Sequence, residues 1–325
     1  MENQFLKWLL PQIKKEYRLE VPPGDDAAVL RPPGGSRTVV TTDLLTESVD
    51  FRFSRSNDDQ EFPPPATVYQ VGRKAIAVNL SDLAAMAAKP EAAVVSVALP
   101  RQSGRKMADE LFRGIIEELE TFGTTLAGGD TNAWDGPLVI SVTAIGSVSP
   151  GQCWRRNTAK PGDLLVVTGP LGGSLLGRHL KVTPRCREAL TIASMFDVHA
   201  AIDISDGLAI DCSRLMSASQ TGAIIDLEAV PVHADALSLS KLECGGHLDP
   251  IQHALQDGED FELLLAIPPD DAHAFVHSDP QTLLPETTMR PYIIGEVTKN
   301  LELLSRTAGG QSHCLEPKGF EHVFE

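Results

Sequence analysis

Ala75-Ile76-Ala77-Val78-Asn79-Leu80-Ser81-Asp82-Leu83-Ala84-Ala85-Met86 lies in a stretch, residues 66 to 88, rich in Ala, Leu and Val with small residues throughout. Such a stretch reads as a buried helix, because it offers water no continuous polar face. One small domain does not readily cover a helix that is apolar nearly all round. This predicts a homodimer formed through residues before about 150. Within the run, Asp82 is an acid in apolar surroundings, and it needs a chemical reason.

Outward from this helix the chain alternates. Thr38 to Asp43, Ala92 to Leu99, Thr124 to Ala127 and Leu138 to Val148 read as strands, and Ser103 to Phe122 has helical periodicity. Phe5 to Tyr17 reads as a short amphipathic helix ended by Pro22-Pro23-Gly24. Ser149-Pro150-Gly151 and Lys160-Pro161-Gly162-Asp163 are breaker clusters, which set a boundary near residue 150. Beyond them come strands at Leu164 to Thr168, Ala200 to Ile204, Ala223 to Leu227, Phe261 to Ile267 and Tyr292 to Val297. Helices are predicted near Gly173 to Leu180, over Arg185 to Phe196 and from Gly207. The fold class is α/β (α+β) in two halves of similar size, 1–150 and 151–325.

The 28 basic and 44 acidic residues give a net charge of −16, which argues against a nucleic-acid surface. No apolar run approaches the roughly 20 residues that span a bilayer. Met1 to Leu10 is too short and too acidic at its tip for a signal peptide. The five cysteines form no C-x-x-C pair, which predicts a reducing, cytoplasmic home without a disulfide frame or zinc cluster.

Six short motifs set an Asp at a strand end or in a Gly-rich turn: Gly24-Asp25-Asp26-Ala27-Ala28, Thr41-Thr42-Asp43, Asn79-Leu80-Ser81-Asp82, Gly128-Gly129-Asp130-Thr131, Asp203-Ile204-Ser205-Asp206-Gly207 and Gly258-Glu259-Asp260. Singly, each reads as a turn or a helix cap. Together they point to metal, since clustered carboxylates repel one another unless cations neutralise them. Oxygen donors select Mg²⁺ or Ca²⁺, and the Ca²⁺ loop pattern is absent. Mg²⁺ takes few carboxylates and shares phosphate oxygens, so several Asp tips suggest several Mg²⁺ ions on a polyphosphate. No P-loop and no protein-kinase motif set is present. Leu171-Gly172-Gly173-Ser174 reads either as a phosphate-holding loop or as an ordinary strand-to-helix turn. Arg155-Arg156 offers either a phosphate clamp or a surface ion pair.

In order and spacing, these motifs, together with Ala159-Lys160-Pro161-Gly162-Asp163 and Gly258-Glu259-Asp260-Phe261-Glu262-Leu263, resemble thiamine-monophosphate kinase from about residue 24 to Lys318-Gly319-Phe320. The wider superfamily includes aminoimidazole ribonucleotide synthetase, selenophosphate synthetase and a hydrogenase maturation enzyme. The resemblance implies an aminoimidazole ribonucleotide synthetase-like chain whose N-terminal half binds ATP and metal and pairs in a dimer, and whose C-terminal half completes the cleft. It implies ATP as co-substrate and thiamine monophosphate as acceptor; charge and hydropathy already predict no nucleic-acid or membrane partner. Asp26, Thr41, Thr42, Asp43, Asp82, Asp130, Asp203 and Asp206 are the implied Mg²⁺ ligands, with Asp25 an alternative to Asp26. Gly129, Asp130, Arg156 and Ser205 are the implied ATP contacts, with Arg156, Asp206 and Asp130 catalytic. Asp50, Glu259 and Phe320 are implied to face the thiamine phosphate, Phe320 stacking on a ring.

The chain departs from the family at three places: Asp50 stands for the usual His, Asn157-Thr158 for Ser-Gly, and Asp257 for Gly. Phosphoryl transfer between phosphates needs no strong base, because a phosphate monoester is already about −1.5 to −2 charged near pH 7. It needs charge neutralisation and alignment. A superfamily enzyme with another acceptor and a non-catalytic nucleotide- or cation-binding protein are the competing readings.

Overall fold

The computed structural model describes residues 19–21, 25–31, 35–54, 62–102, 104–279 and 287–322. The helix expected over Phe5 to Tyr17 and the Pro22-Pro23-Gly24 breaker lie outside them.

The first half builds a six-stranded sheet in the order β1 (Leu19–Val21), β2 (Ala28–Leu30), β3 (Arg37–Thr46), β6 (Val139–Val148), β4 (Lys89–Pro100), β5 (Thr125–Trp134). Only β4 and β5 run parallel; the other neighbours are antiparallel. Helix α1 (Val68–Ala85) begins at a reciprocal cap: Thr67 Oγ1 accepts the Gln70 N–H and Gln70 Oε1 accepts the Thr67 N–H. Such a cap stabilises a helix by about 1 kcal/mol. Helix α2 (Gly104–Thr121) crosses α1 at two glycines. A Cβ on Gly72 would sit 2.2 Å from Leu111 O, and one on Gly114 would sit 2.2 Å from Tyr69 O, so side chains there would push the helices apart.

The second half holds β7 (Leu164–Val167), α3 (Cys186–Met195), β8 (Ala200–Asp203), α4 (Leu208–Ser219), β9 (Gly222–Asp226), α5 (Ala234–Leu239), α6 (Pro250–Gln256), β10 (Leu263–Ile267), α7 (Pro269–His277), β11 (Tyr292–Thr298), β12 (Leu303–Arg306) and β13 (Ser312–Cys314). Its seven-stranded sheet runs β13-β12-β9-β11-β7-β10-β8. Strand alternation sorts its side chains between two cores. Leu263, Leu265 and Ile267 join Val166, Ala201 and the α1 side chains; Leu264 and Ala266 join Val167, Ile202 and α4. The first core therefore runs from the first sheet through α1 to the second sheet. The apolar circumference of α1 is covered inside the chain, by β3, β6, α2, α3 and β8. Its composition does not by itself call for a second copy.

Two elements differ from expectation. Residues 174–180 form two short 3₁₀ turns, not a helix, because Gly172, Gly173 and Gly177 take positive φ of 89°, 73° and 125°. Gly128-Gly129-Asp130-Thr131 lies within β5, not at its tip.

Candidate active site

Asp82 sits near the C-terminal end of α1, Asp203 ends β8, and Asp26 enters β2. These elements bring the three carboxylates together, with one oxygen of each within 4.8 Å of the others. Thr41 faces them from β3, its Oγ1 2.5 Å from Asp82 Oδ2 and 3.1 Å from the Asp26 carbonyl. Ser81 Oγ donates to Asp203 at 2.6 Å. Arg156 binds Asp26 through two N–H groups, at 2.9 and 2.7 Å, and its backbone N–H donates to Asp25 at 3.0 Å. The geometry thus separates the adjacent acids: Asp26 belongs to the cluster and Asp25 braces the Arg156 backbone.

Burial, then the charges of Asp43, Asp203 and Asp26, drives the Asp82 carboxyl well above its usual range. Burial and then Asp26 do the same to Asp203. Asp43 is pushed up to about 6 by burial, with Asp50, Glu259 and Asp206 adding to it. Acids in this condition seek protons or cations. Within the trio Arg156 hydrogen-bonds Asp26 and reaches Asp203 only through its field, which does not outweigh burial there. The remaining donors are all oxygen, so the set fits a hard divalent cation and not a soft metal.

The carboxylates border a cavity of about 450 Å³ whose wall includes Asp43, Asp50, Asp82, Asp203, Ser205, Asp206, Glu259 and Phe320. After Asp203 the chain turns through Gly207 at φ 125° into α4, where Asp211 accepts the N–H groups of Asp206 and Gly207 at 3.0 and 3.1 Å. Arg214, one turn on, pairs with Asp206 at 2.5 Å and Asp211 at 2.7 Å. Glu259 holds a left-handed backbone, φ 67°, and its N–H donates to the Ser205 carbonyl at 2.7 Å. Burial raises the Glu259 carboxyl, and the Lys74 ammonium opposes this most strongly. Asp50 turns its carboxylate back to the Thr46 N–H at 2.7 Å.

Two expected ligand side chains point elsewhere. Thr42 alternates to the sheet face opposite Thr41, where Thr143 Oγ1 donates to it. Asp130 pairs in register with Ser96 on that same outer face, and every residue of β5 is exposed. Gly129 packs its backbone on β4, where a Cβ would meet Val95 O at 2.0 Å. In the Leu171–Ser174 turn Asp260 and Asp257 already accept the Gly172 and Gly173 N–H groups, and the turn leads into 3₁₀ segments and not the expected helix. Sequence reasoning missed Lys74 and His179, which line the cavity, and Asp211 and Arg214, which brace the Asp206 turn. Lys74 alone left a signal, as a cation at the head of the apolar run.

The first half, residues 24–148, matches the AIR synthase related protein N-terminal domain, and residues 160–303 match the corresponding C-terminal domain. A thiamine-monophosphate kinase of Rhodopirellula baltica is 38% identical over 99% of this chain and 97% of its own. The chain belongs to the thiamine-monophosphate kinase family. A second family member, from Synechococcus elongatus, is 32% identical over 89% of this chain and 90% of its own. The solved structure of AaThiL complexed with AMPPCP and TMP superposes with a TM-score of 0.76 at 26% identity, covering 99% of this chain and 96% of that one. The family's two-domain mixed α/β architecture is the architecture found here. Among the described residues, no helix is long and apolar enough to cross a membrane.

Proposed function

We propose that this chain transfers the γ-phosphoryl group of ATP to the phosphate of thiamine monophosphate, giving thiamine diphosphate. One observation carries the reading: a single cavity joins the acceptor positions Asp50, Glu259 and Phe320 to the acids Asp43, Asp82, Asp203 and Asp206. Family membership and the AaThiL complex with AMPPCP and TMP support it.

Asp26, Asp43, Asp82, Asp203 and Asp206, with Thr41, would hold Mg²⁺. Bound there, Mg²⁺ neutralises and aligns phosphate oxygens. The chain's own residues supply position. Phe320 offers a ring face at the cavity rim, and Glu259 offers negative charge to a cationic heteroaromatic ring. Arg156 holds Asp26 in place and remains the proposed ATP contact, as do Ser205 and Gly129. Asp206 and Arg214 form a charge pair that a bound cation would compete with.

We also propose a homodimer through the outer face of the first sheet. The support is the exposed edge strand β5 and, on the same sheet face, half-buried Val40, Val94 and Ile145. Thr42 and Asp130 would then act at the subunit boundary. A cytoplasmic home is in keeping with the free state of all five cysteines. The test is ATP turnover with and without thiamine monophosphate, in Mg²⁺ and in EDTA. Turnover is expected only with both acceptor and Mg²⁺; acceptor-independent turnover would overturn the reading.

A further inference from the structure

Lys74 is buried, with 1% of its side chain exposed, yet it borders the cavity. A buried ammonium is costly unless paired. Its Nζ lies 2.5 Å from Glu259 Oε2 and donates to the Asp50 carbonyl at 2.7 Å. These partners sit on different halves of the chain and on different walls of the cavity. Asp50 closes the turn after β3, where its own N–H donates to the Thr46 carbonyl at 3.1 Å. Glu259 lies in a turn whose carbonyl accepts from Ser174 Oγ at 2.8 Å and whose N–H is held by Ser205. Backbone bonds thus fix the Glu259 main chain, and Lys74 is the group that fixes its carboxylate.

We propose that Lys74 is a positioning residue for the acceptor, anchoring the Glu259 carboxylate and the Asp50 turn to α1 so that the two walls keep a fixed separation. Lys74 acts through Glu259 and does not touch the reacting phosphate. The proposal rests on the thiamine monophosphate kinase reading. It adds a specificity device contributed by the helix that also carries Asp82, so acceptor position and metal position share one rigid element.

The experiment is a double-mutant cycle on the full chain with Lys74→Met, Glu259→Gln and the double variant, read as KM for thiamine monophosphate, KM for ATP and Tm. Wild-type turnover of thiamine monophosphate comes first, since its absence would remove the functional reading and this inference with it. With turnover present, Lys74→Met is expected to raise the acceptor KM about tenfold and leave the ATP KM within about twofold. The double variant is expected to raise the acceptor KM by less than the product of the two single effects, because both substitutions break the same Lys74–Glu259 pair while Lys74 keeps the Asp50 carbonyl in Glu259→Gln. An unchanged acceptor KM, equal rises in both KM values, or additive effects in the double variant would each overturn the proposal while leaving the kinase reading intact. Should Lys74→Met fail to fold, the double variant, which leaves no carboxylate unpaired, is compared with Glu259→Gln: a further rise in acceptor KM well below about tenfold supports action through Glu259, and a rise of about tenfold or more overturns it.

Discussion

The backbone N–H of Phe320 donates to the Asp206 carbonyl at 3.0 Å, tying the tail of the chain to the turn that carries one of its acids. Gly319 makes this approach possible: a Cβ there would meet Ile210 Cγ2 at 2.3 Å and Asp206 O at 2.5 Å. Gly319→Ala should displace Phe320 from the cavity rim. We expect the KM for thiamine monophosphate to rise several-fold with the ATP KM and Tm near wild type. Steady-state kinetics check this, and an unchanged acceptor KM would remove the tail from the site.

Asp82 has Thr41 as its hydrogen-bond partner among the described residues and is crowded by Asp43, Asp203 and Asp26. Asp82→Asn should reduce turnover by at least about a hundredfold. It should also raise the Tm of the EDTA-treated protein, because one of the mutually repelling charges is gone. Calorimetry of the metal-free variant tests the second half, and a lowered Tm would argue that Asp82 is structurally paired.

Asp50 accepts its own turn's Thr46 N–H, and its carbonyl accepts from Lys74. Asp50→Ala removes the carboxylate that accepts the Thr46 N–H, keeps the main-chain carbonyl that accepts from Lys74, and should raise the acceptor KM more than it lowers kcat. Asp50→Asn keeps an oxygen for Thr46 and should lie closer to wild type. If wild type fails to turn over thiamine monophosphate and Asp50→His does so robustly, the natural acceptor is a different molecule.

His179 donates through Nδ1 to the Ser174 carbonyl at 3.0 Å, and burial, with the Lys74 ammonium second, holds its imidazole down to about 4. The unfolded chain takes up a proton near pH 6.5 that the folded chain refuses until about pH 4. Stability from this residue is therefore present above pH 6.5 and lost as pH falls toward 4, by at most about 1.4 kcal/mol per pH unit. The stability difference between pH 7 and pH 5, from urea midpoints in EDTA, should shrink in His179→Gln. Equal differences in the two proteins would contradict this.

The proposed dimer gives a mass of twice 35.0 kDa by light scattering at micromolar concentration. A single-chain mass would leave Asp130 and Thr42 on an open face and remove them from the site.

Much of this frame is legible in sequence because it is periodic. Thr38 to Asp43 and the Ala-rich run at 66 to 88 declare a strand and a buried helix, and the structure extends or trims them by a few residues. The stretch 173–180 is not legible in this way, because its apolar spacing mimics a helix while its glycines adopt backbone angles that break one. Strand alternation also divides what a motif joins: Thr41 and Thr42 are adjacent in sequence and lie on opposite faces of β3. The pairings of Lys74 with Glu259 and of Arg156 with Asp26 join distant segments of chain. No local pattern encodes such contacts, since tertiary packing alone brings the partners together.

On the proposed function, the cavity between Phe320 and Asp82 passes a phosphoryl group from ATP to thiamine monophosphate. The most direct measurement follows label from [γ-³²P]ATP in the presence of Mg²⁺ and thiamine monophosphate. Label is expected in thiamine diphosphate in step with ADP formation, and none when EDTA replaces Mg²⁺. ADP with all label in inorganic phosphate, or no ATP consumption at all, would contradict it.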